Sequence, residues 1–238
     1  RWHAAYRSRY VAGVAQMSSA PTTIIVMAKS PVAGQVKTRL CPPLTVEESA
    51  ELAAAAIADT LENVRGVKDV RRVIAYTGNR ERMVACGVSG FELITQRGGG
   101  FADRLANAFN DAQSAEPGPS VLIAMDTPQA DAAYIEAAID QLRSSPAVLG
   151  PATDGGWWLL GLTDPHHAGI LREVPMSIAQ TRQLTEQAFE RCGIAVSQTA
   201  TLRDVDSFED ARAVADLIPQ STFAQTLNRL AASSIRNR

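Results

Sequence analysis

Cysteine is scarce and poorly placed for cross-links. Cys41, Cys86 and Cys192 lie far apart with no CxxC pair, which argues against a disulfide framework or a cysteine-based zinc site and suits a reducing compartment. Long apolar runs are missing too. No window reaches the roughly 18 apolar residues that a membrane-spanning helix needs, so no membrane span and a cytoplasmic protein are expected. An excess of positive charge is absent as well. With 23 Lys and Arg against 25 Asp and Glu the net charge is -2, which gives no global reason to expect nucleic acid or an anionic membrane as partner. Any anion must therefore be met by a local site. Repeats, low-complexity tracts and a linker that would divide the chain are likewise lacking, so residues 21–238 are expected to form one domain. Residues 1–20 are read as an N-terminal extension outside the core. Their RWHAAYRSRYVAGVAQ stretch has cations at its start but only a short, weakly apolar centre, and Met17 is a candidate natural start.

What is present alternates. TTIIVMA, Thr22 to Ala28, is short, β-branched and apolar on both faces, the pattern of a buried parallel strand. Thr45 and Glu48 have capping-box spacing before a run of good helix formers. Strand-like VRRVIAYT and FELIT follow. GGGFADRLANAFNDA then reads as a glycine loop entering an amphipathic helix with Phe101, Leu105, Ala108 and Phe109 on its buried face. PSVLIAMD is the strongest central-strand pattern, with DAAYIEAAIDQLRS a helix behind it. AVLGPA and WWLLGL are two short strands around a Gly-Gly turn, SIAQTRQLTEQAFERC is helical, IAVSQTATL extended and FEDARAVADLI helical. Such alternation predicts an α/β fold with a mostly parallel sheet covered by helices on both faces.

Ligands of open α/β sheets bind outside the carboxyl ends of the strands, so four loops carry the functional argument. In the first, Pro31 and Gly34 shape a turn and Lys37 and Arg39 supply charge suited to phosphate oxygens. No Walker-type GxxxxGK[ST] is present, and an exposed basic loop is the competing reading. In the second, Gly98, Gly99 and Gly100 precede a helix whose free N–H groups suit an anion or carbonyl oxygen, although a glycine run there also serves as a plain turn. In the third, Asp126 stands at the tip of a buried strand, a stiff mount for Mg²⁺ or Mn²⁺, or else a turn residue before Thr-Pro. Asp204 and Asp206 share one side of an extended segment, so one of them can complete the same metal site. In the fourth, Asp154 lies in a Gly155-Gly156 turn followed by Trp157 and Trp158, which face opposite ways if extended. The alternative is a turn Asp followed by two core tryptophans.

AKSPVAGQVKTRL, GGGFADRL, AMDTPQ, LGPATDGGWWLLGL, VPMSIAQTR and LRDVDSFEDA, in this order, resemble a bacterial glycosyltransferase-like family catalogued as a domain of unknown function. Some of its members are labelled arsenosugar-biosynthesis glycosyltransferases. The family sits in the nucleotide-diphospho-sugar transferase superfamily with the Rossmann-like GT-A fold, which also contains guanylyltransferases. The resemblance implies that Lys37 is the phosphate-binding lysine, Asp126 the metal-binding aspartate, and Asp206, ahead of Asp204, the late metal ligand. It places nucleotide contacts at Ala28, Lys29, Gly34, Lys37 and Arg39 in the first loop, and at Gly98, Gly99, Gly100 and Arg104 in the second. The first loop lacks the G-x-G-x-R-x-G form of nucleotidyltransferases, and Ala124 and Met125 replace the commoner small residues before the aspartate.

The expected function is a metal-dependent transferase that moves a sugar from a nucleoside diphosphate-sugar to a small acceptor. Lys37 acts at the phosphates and Asp154 as the acceptor's base, with Gly155, Gly156, Trp157 and Trp158 forming the acceptor pocket. The alternatives are nucleotidyl transfer from a triphosphate to a phosphorylated acceptor with pyrophosphate release, and a non-catalytic nucleotide-binding protein.

Overall fold

The computed structural model describes residues 20–113 and 118–236; the expected extension, apart from Ala20, lies outside them. Seven strands form one sheet: β1 Thr23–Lys29, β2 Arg71–Thr77, β3 Glu92–Thr95, β4 Ser120–Ala124, β5 Ala147–Pro151, β6 Trp157–Leu162 and β7 Val196–Gln198. Their spatial order is β3-β2-β1-β4-β6-β5-β7. All neighbours are parallel except β6, which runs antiparallel to both β4 and β5. The helices are α1 Val46–Gly66, α2 Arg80–Val84, α3 Phe101–Asp111, α4 Ala132–Gln141, α5 Thr181–Arg191, α6 Phe208–Leu217 and α7 Thr222–Arg236, with 3₁₀ segments at Thr38–Leu40 and Pro165–Glu173. Among the described residues no helix is long and apolar enough to cross a membrane.

The two-faced apolar strands dictate the layering. In β1, Ile24, Val26 and Ala28 enter one core, which takes in α1 and α4, while Ile25 and Met27 enter the core on the other face with Leu105 and Phe109 of α3. A third cluster joins α1 to α6 and α7 through Leu52, Ala56, Val214 and Leu227. The expected capping box is formed, since the Thr45 side chain accepts from Glu48 N and the Glu48 carboxylate accepts from Thr45 N.

The alternation in β6 breaks where its register with β5 shifts at Gly150/Pro151. Trp158 is consequently buried in the first core and Trp157 is half-buried against the second. The opposite facing of the two indoles is thus observed.

Two expectations differ. Phe101 does not join Leu105, Ala108 and Phe109 in the core but is 42% exposed, because the first turn of α3 overhangs the end of the sheet. The helix expected from Ser177 begins only at Thr181, since Ser177 has a left-handed φ of 62° that no helix accommodates.

Candidate active site

A cavity of about 490 Å³ opens at the carboxyl ends of β1 and β4 and at the turn from β5 to β6. Sequence reasoning placed its four loops here, and the structure brings them together. Beyond β1, the chain turns at Gly34 and passes through Lys37, whose φ of 48° is left-handed. The short 3₁₀ turn that follows anchors Leu40 in the third core cluster. Lys37 is thereby aimed back at the strand ends, with only 11% of its side chain exposed. Its Nζ donates to Asp126 Oδ2 at 2.8 Å and to Asp206 Oδ1 at 3.2 Å. Arg39 donates to the other oxygen of Asp206 at 2.9 Å. Burial acts to lower the Lys37 pKa, but the charge and hydrogen bond of Asp126, followed by those of Asp206, outweigh it and hold the pKa above the ordinary lysine value.

Asp126 follows β4. Ahead of it, Met125 folds over the end of β1, where its sulfur accepts from Lys29 N at 3.1 Å. The Asp126 carbonyl accepts from Val205 N at 3.0 Å, which fixes the late acidic segment against the strand tip. That segment is aligned from the other side as well, because Leu202 pairs in parallel with Ala152 just beyond β5. Val205 is buried in the third cluster. Asp204 and Asp206, one residue to either side, both line the cavity, in accord with the period of two.

The turn from β5 to β6 supplies another carboxylate. One oxygen each of Asp154, Asp204 and Asp206 can lie within 4.8 Å of the other two, so the geometry groups Asp154 with the late pair. Asp126 is instead tied to Lys37. Asp154 Oδ1 accepts from Gly156 N at 2.7 Å, and Gly155 has a φ of 90°, with its Cα so close to Ala179 that a Cβ would lie 2.0 Å from that carbonyl oxygen. Here only glycine fits, which gives Gly155 and Gly156 a definite role in shaping this turn.

Asp204 is pushed up to about 6, first by burial and then by the negative charges of Asp154, Asp126 and Asp206. A carboxylate crowded by three others is the environment that a hard divalent cation relieves. The folded protein holds this proton to higher pH than the unfolded chain. Stability of the ligand-free protein should therefore fall as pH rises from about 4 to about 6, with the penalty fully present above that window. Asp204→Asn should remove the penalty. Its melting temperature relative to wild type, measured from pH 4.5 to 7.5 without metal, is expected to rise with pH, and a pH-independent difference would contradict the assignment.

The second loop closes the opposite side. Gly98 has a φ of 130°, and a Cβ there would lie 2.6 Å from Asp103 Cβ, whereas a Cβ on Gly100 would meet nothing within 4 Å. Arg104, one turn into α3, has its guanidinium 5.5 Å from the Phe101 ring centroid. Ala28, Lys29 and Arg104 all border the cavity. Sequence reasoning missed Gln96, whose side-chain amide donates to Ala28 O and Ala75 O at 2.9 and 2.8 Å and braces the end of β1. It also missed the cavity wall formed by Met176 and Ile178. For the latter, the only signal was an apolar pair within VPMSIAQT.

A family model described as an uncharacterized protein conserved in bacteria (DUF2064) matches residues 60–178, half of the chain. The chain belongs to this family. The matched stretch includes Gly98 to Gly100, Asp126 and Asp154, whereas Lys37, Arg39, Asp204 and Asp206 lie outside it. No curated protein matches the sequence. Among solved structures, a protein from Desulfovibrio desulfuricans G20, provisionally named a nucleotide-diphospho-sugar transferase, is 24% identical with a TM-score of 0.80 over 91% of this chain and 97% of its own. A manganese complex of Rv0371C from Mycobacterium tuberculosis H37Rv is 18% identical, with a TM-score of 0.56 over 82% of this chain and 98% of its own. The CTP complex of CMP:2-keto-3-deoxy-manno-octonic acid synthetase is 13% identical, with a TM-score of 0.56 over 84% and 99%. The family member described here therefore has the fold of the nucleotide-diphospho-sugar transferases.

Proposed function

We propose that the chain is a metal-dependent transferase that takes a nucleoside diphosphate-sugar as donor and passes the sugar to a small acceptor. The observation that carries this reading is the meeting of Asp154, Asp204 and Asp206 beside Lys37 and Arg39 at the carboxyl ends of the sheet. Three oxygen donors within reach of one another, one of them with a raised pKa, fit Mg²⁺ or Mn²⁺. The manganese and CTP complexes of proteins with this fold lend it further support. A bound cation would supply Lewis-acid stabilisation of the departing diphosphate.

The chain's own groups do the rest. Lys37 and Arg39 exchange their carboxylate partners for phosphate oxygens, which suits charge-assisted hydrogen bonding. Asp154 enters the cluster from the turn leading to Trp157, so it stands between the cation site and the acceptor. The acceptor hydroxyl oxygen forms a bond to the anomeric carbon, the bond from that carbon to the diphosphate oxygen breaks, and the hydroxyl proton passes to Asp154. The nucleotide is assigned to Ala28, Lys29 and Gly34 after β1 and to Gly98, Gly99 and Gly100 before α3, where the open space beside Gly100 leaves room for a flat base. Of the acceptor residues, Trp157 is favoured over Trp158, because it is half-buried and borders the cavity.

Two cations converging on the phosphate side, Lys37 and Arg39, also favour a second reading, nucleotidyl transfer from a triphosphate. Products decide between them. Incubation with MnCl₂ and a panel of UDP-, GDP- and CDP-sugars, with water as surrogate acceptor, should release nucleoside diphosphate. Pyrophosphate released only from nucleoside triphosphates would replace the first reading by the second, and neither product from any donor would count against both.

A further inference from the structure

We propose that the acceptor is an amphipathic anion, a small molecule with a carboxylate or phosphate on an apolar body, and that Arg104 receives its charged group. The inference rests on the transferase reading above and names its acceptor class. The cavity has two chemically distinct sides. Lys37, Arg39 and Asp206 come from segments anchored in the first and third cores through Val36, Leu40 and Val205. Arg104 stands on the other side, on the helix that packs into the second core through Leu105, and Trp157 and Met176 pack against that same core. Phe101 and Ile178, 42% and 44% exposed, complete an apolar lip there.

Arg104 is short of partners in this setting. Its Nε is buried without a hydrogen-bond acceptor, and among the described residues it makes no ion pair. The two carboxylates of its own helix are already taken. Asp103 receives Arg172 at 2.6 Å, and Asp111 receives Arg97 at 2.6 Å. Arg172 also donates to Asn107 Oδ1 at 2.7 Å, while Asn107 donates to the Arg97 carbonyl at 2.8 Å, so neither carboxylate is free to turn toward Arg104. A partly desolvated guanidinium facing a cavity and stacked on an aromatic ring is built for a planar or tetrahedral anion held by two N–H groups. The donor's phosphates already have Lys37, Arg39 and a cation to meet their charge. An anion at Arg104 therefore belongs to the other substrate, and the apolar lip matches the body that carries it.

The test needs no knowledge of the natural acceptor. Phenyl phosphate and benzoate, titrated calorimetrically into the wild-type protein, should bind more tightly than neutral benzyl alcohol. Arg104→Gln should weaken the aryl anions by about 10- to 100-fold, the scale of a charge-assisted contact. Arg104→Lys should fall between, and affinity for UDP or GDP with Mn²⁺ should stay within about twofold. Equal binding of the anions and the alcohol, or no aryl-anion binding, would overturn the proposal. So would a loss of nucleotide affinity in Arg104→Gln as large as the loss for the anion, or phenyl phosphate binding that responds to Lys37→Gln and not to Arg104→Gln. If Arg104→Gln fails to fold, the wild-type comparison of anion with alcohol and the Arg104→Lys titration still decide. Failure of every nucleotide to bind would sink the transferase reading while leaving the aryl-anion result standing.

Discussion

Asp206→Asn is expected to abolish the dependence of nucleotide binding on divalent cations while leaving the fold intact. Asp206 is the only group in the site shared by the acidic cluster, Lys37 and Arg39. The amide keeps the shape of the side chain and removes its charge. Even the loss of a supporting partner costs metal sites roughly 10- to 100-fold in affinity, and a direct ligand should cost no less. Folding should tolerate the change, since Arg39 is largely exposed and its pair contributes little, and Lys37 retains Asp126. A calorimetric titration of MnCl₂ into the variant reads the effect, and unchanged affinity would remove Asp206 from the metal site.

The second large effect is a contrast between neighbours. Trp158 is 1% exposed, and its indole N–H donates to Ala200 O at 2.9 Å. Trp158→Ala should destabilise the protein by roughly 3–5 kcal/mol, as truncation of a buried aromatic does. Trp157 is half-buried, with a longer bond of 3.3 Å to Thr185 Oγ1. Trp157→Ala should cost on the order of 1–2 kcal/mol and weaken aryl-anion binding instead. Urea denaturation of both variants separates the two roles, and equal losses of stability would make this stretch core throughout.

Much of this arrangement was legible in the sequence because it follows from local pattern. Runs such as TIIVMA, apolar on both faces, permit only a strand covered on both sides, and Thr45 with Glu48 marks the start of α1. Asp126 ends a stiff strand, and Asp204 and Asp206 flank a buried Val205. What local pattern does not hold is pairing across distance. Asp154 meets the late aspartates because Leu202 pairs with Ala152, a contact spanning fifty residues. Lys37 and Arg39 read as free cations, although both are held by carboxylates in the ligand-free fold. Helical periodicity gave Phe101 the same face as Leu105 but cannot tell where a helix overruns the sheet beneath it. The left-handed Ser177 was equally hidden, since a serine carries no signature of that conformation.

The central claim is that this cavity binds a nucleotide through a cation. Its most direct test is the stability of the wild-type protein with UDP, GDP or CDP, with and without MnCl₂. At 100 times its dissociation constant a nucleotide that binds only the folded state adds about 2.7 kcal/mol. The account predicts a rise of that order for at least one of the three with Mn²⁺ present, much reduced when EDTA replaces the metal and absent in Asp206→Asn. A rise of the same size in EDTA, or none with any of the three, would contradict it.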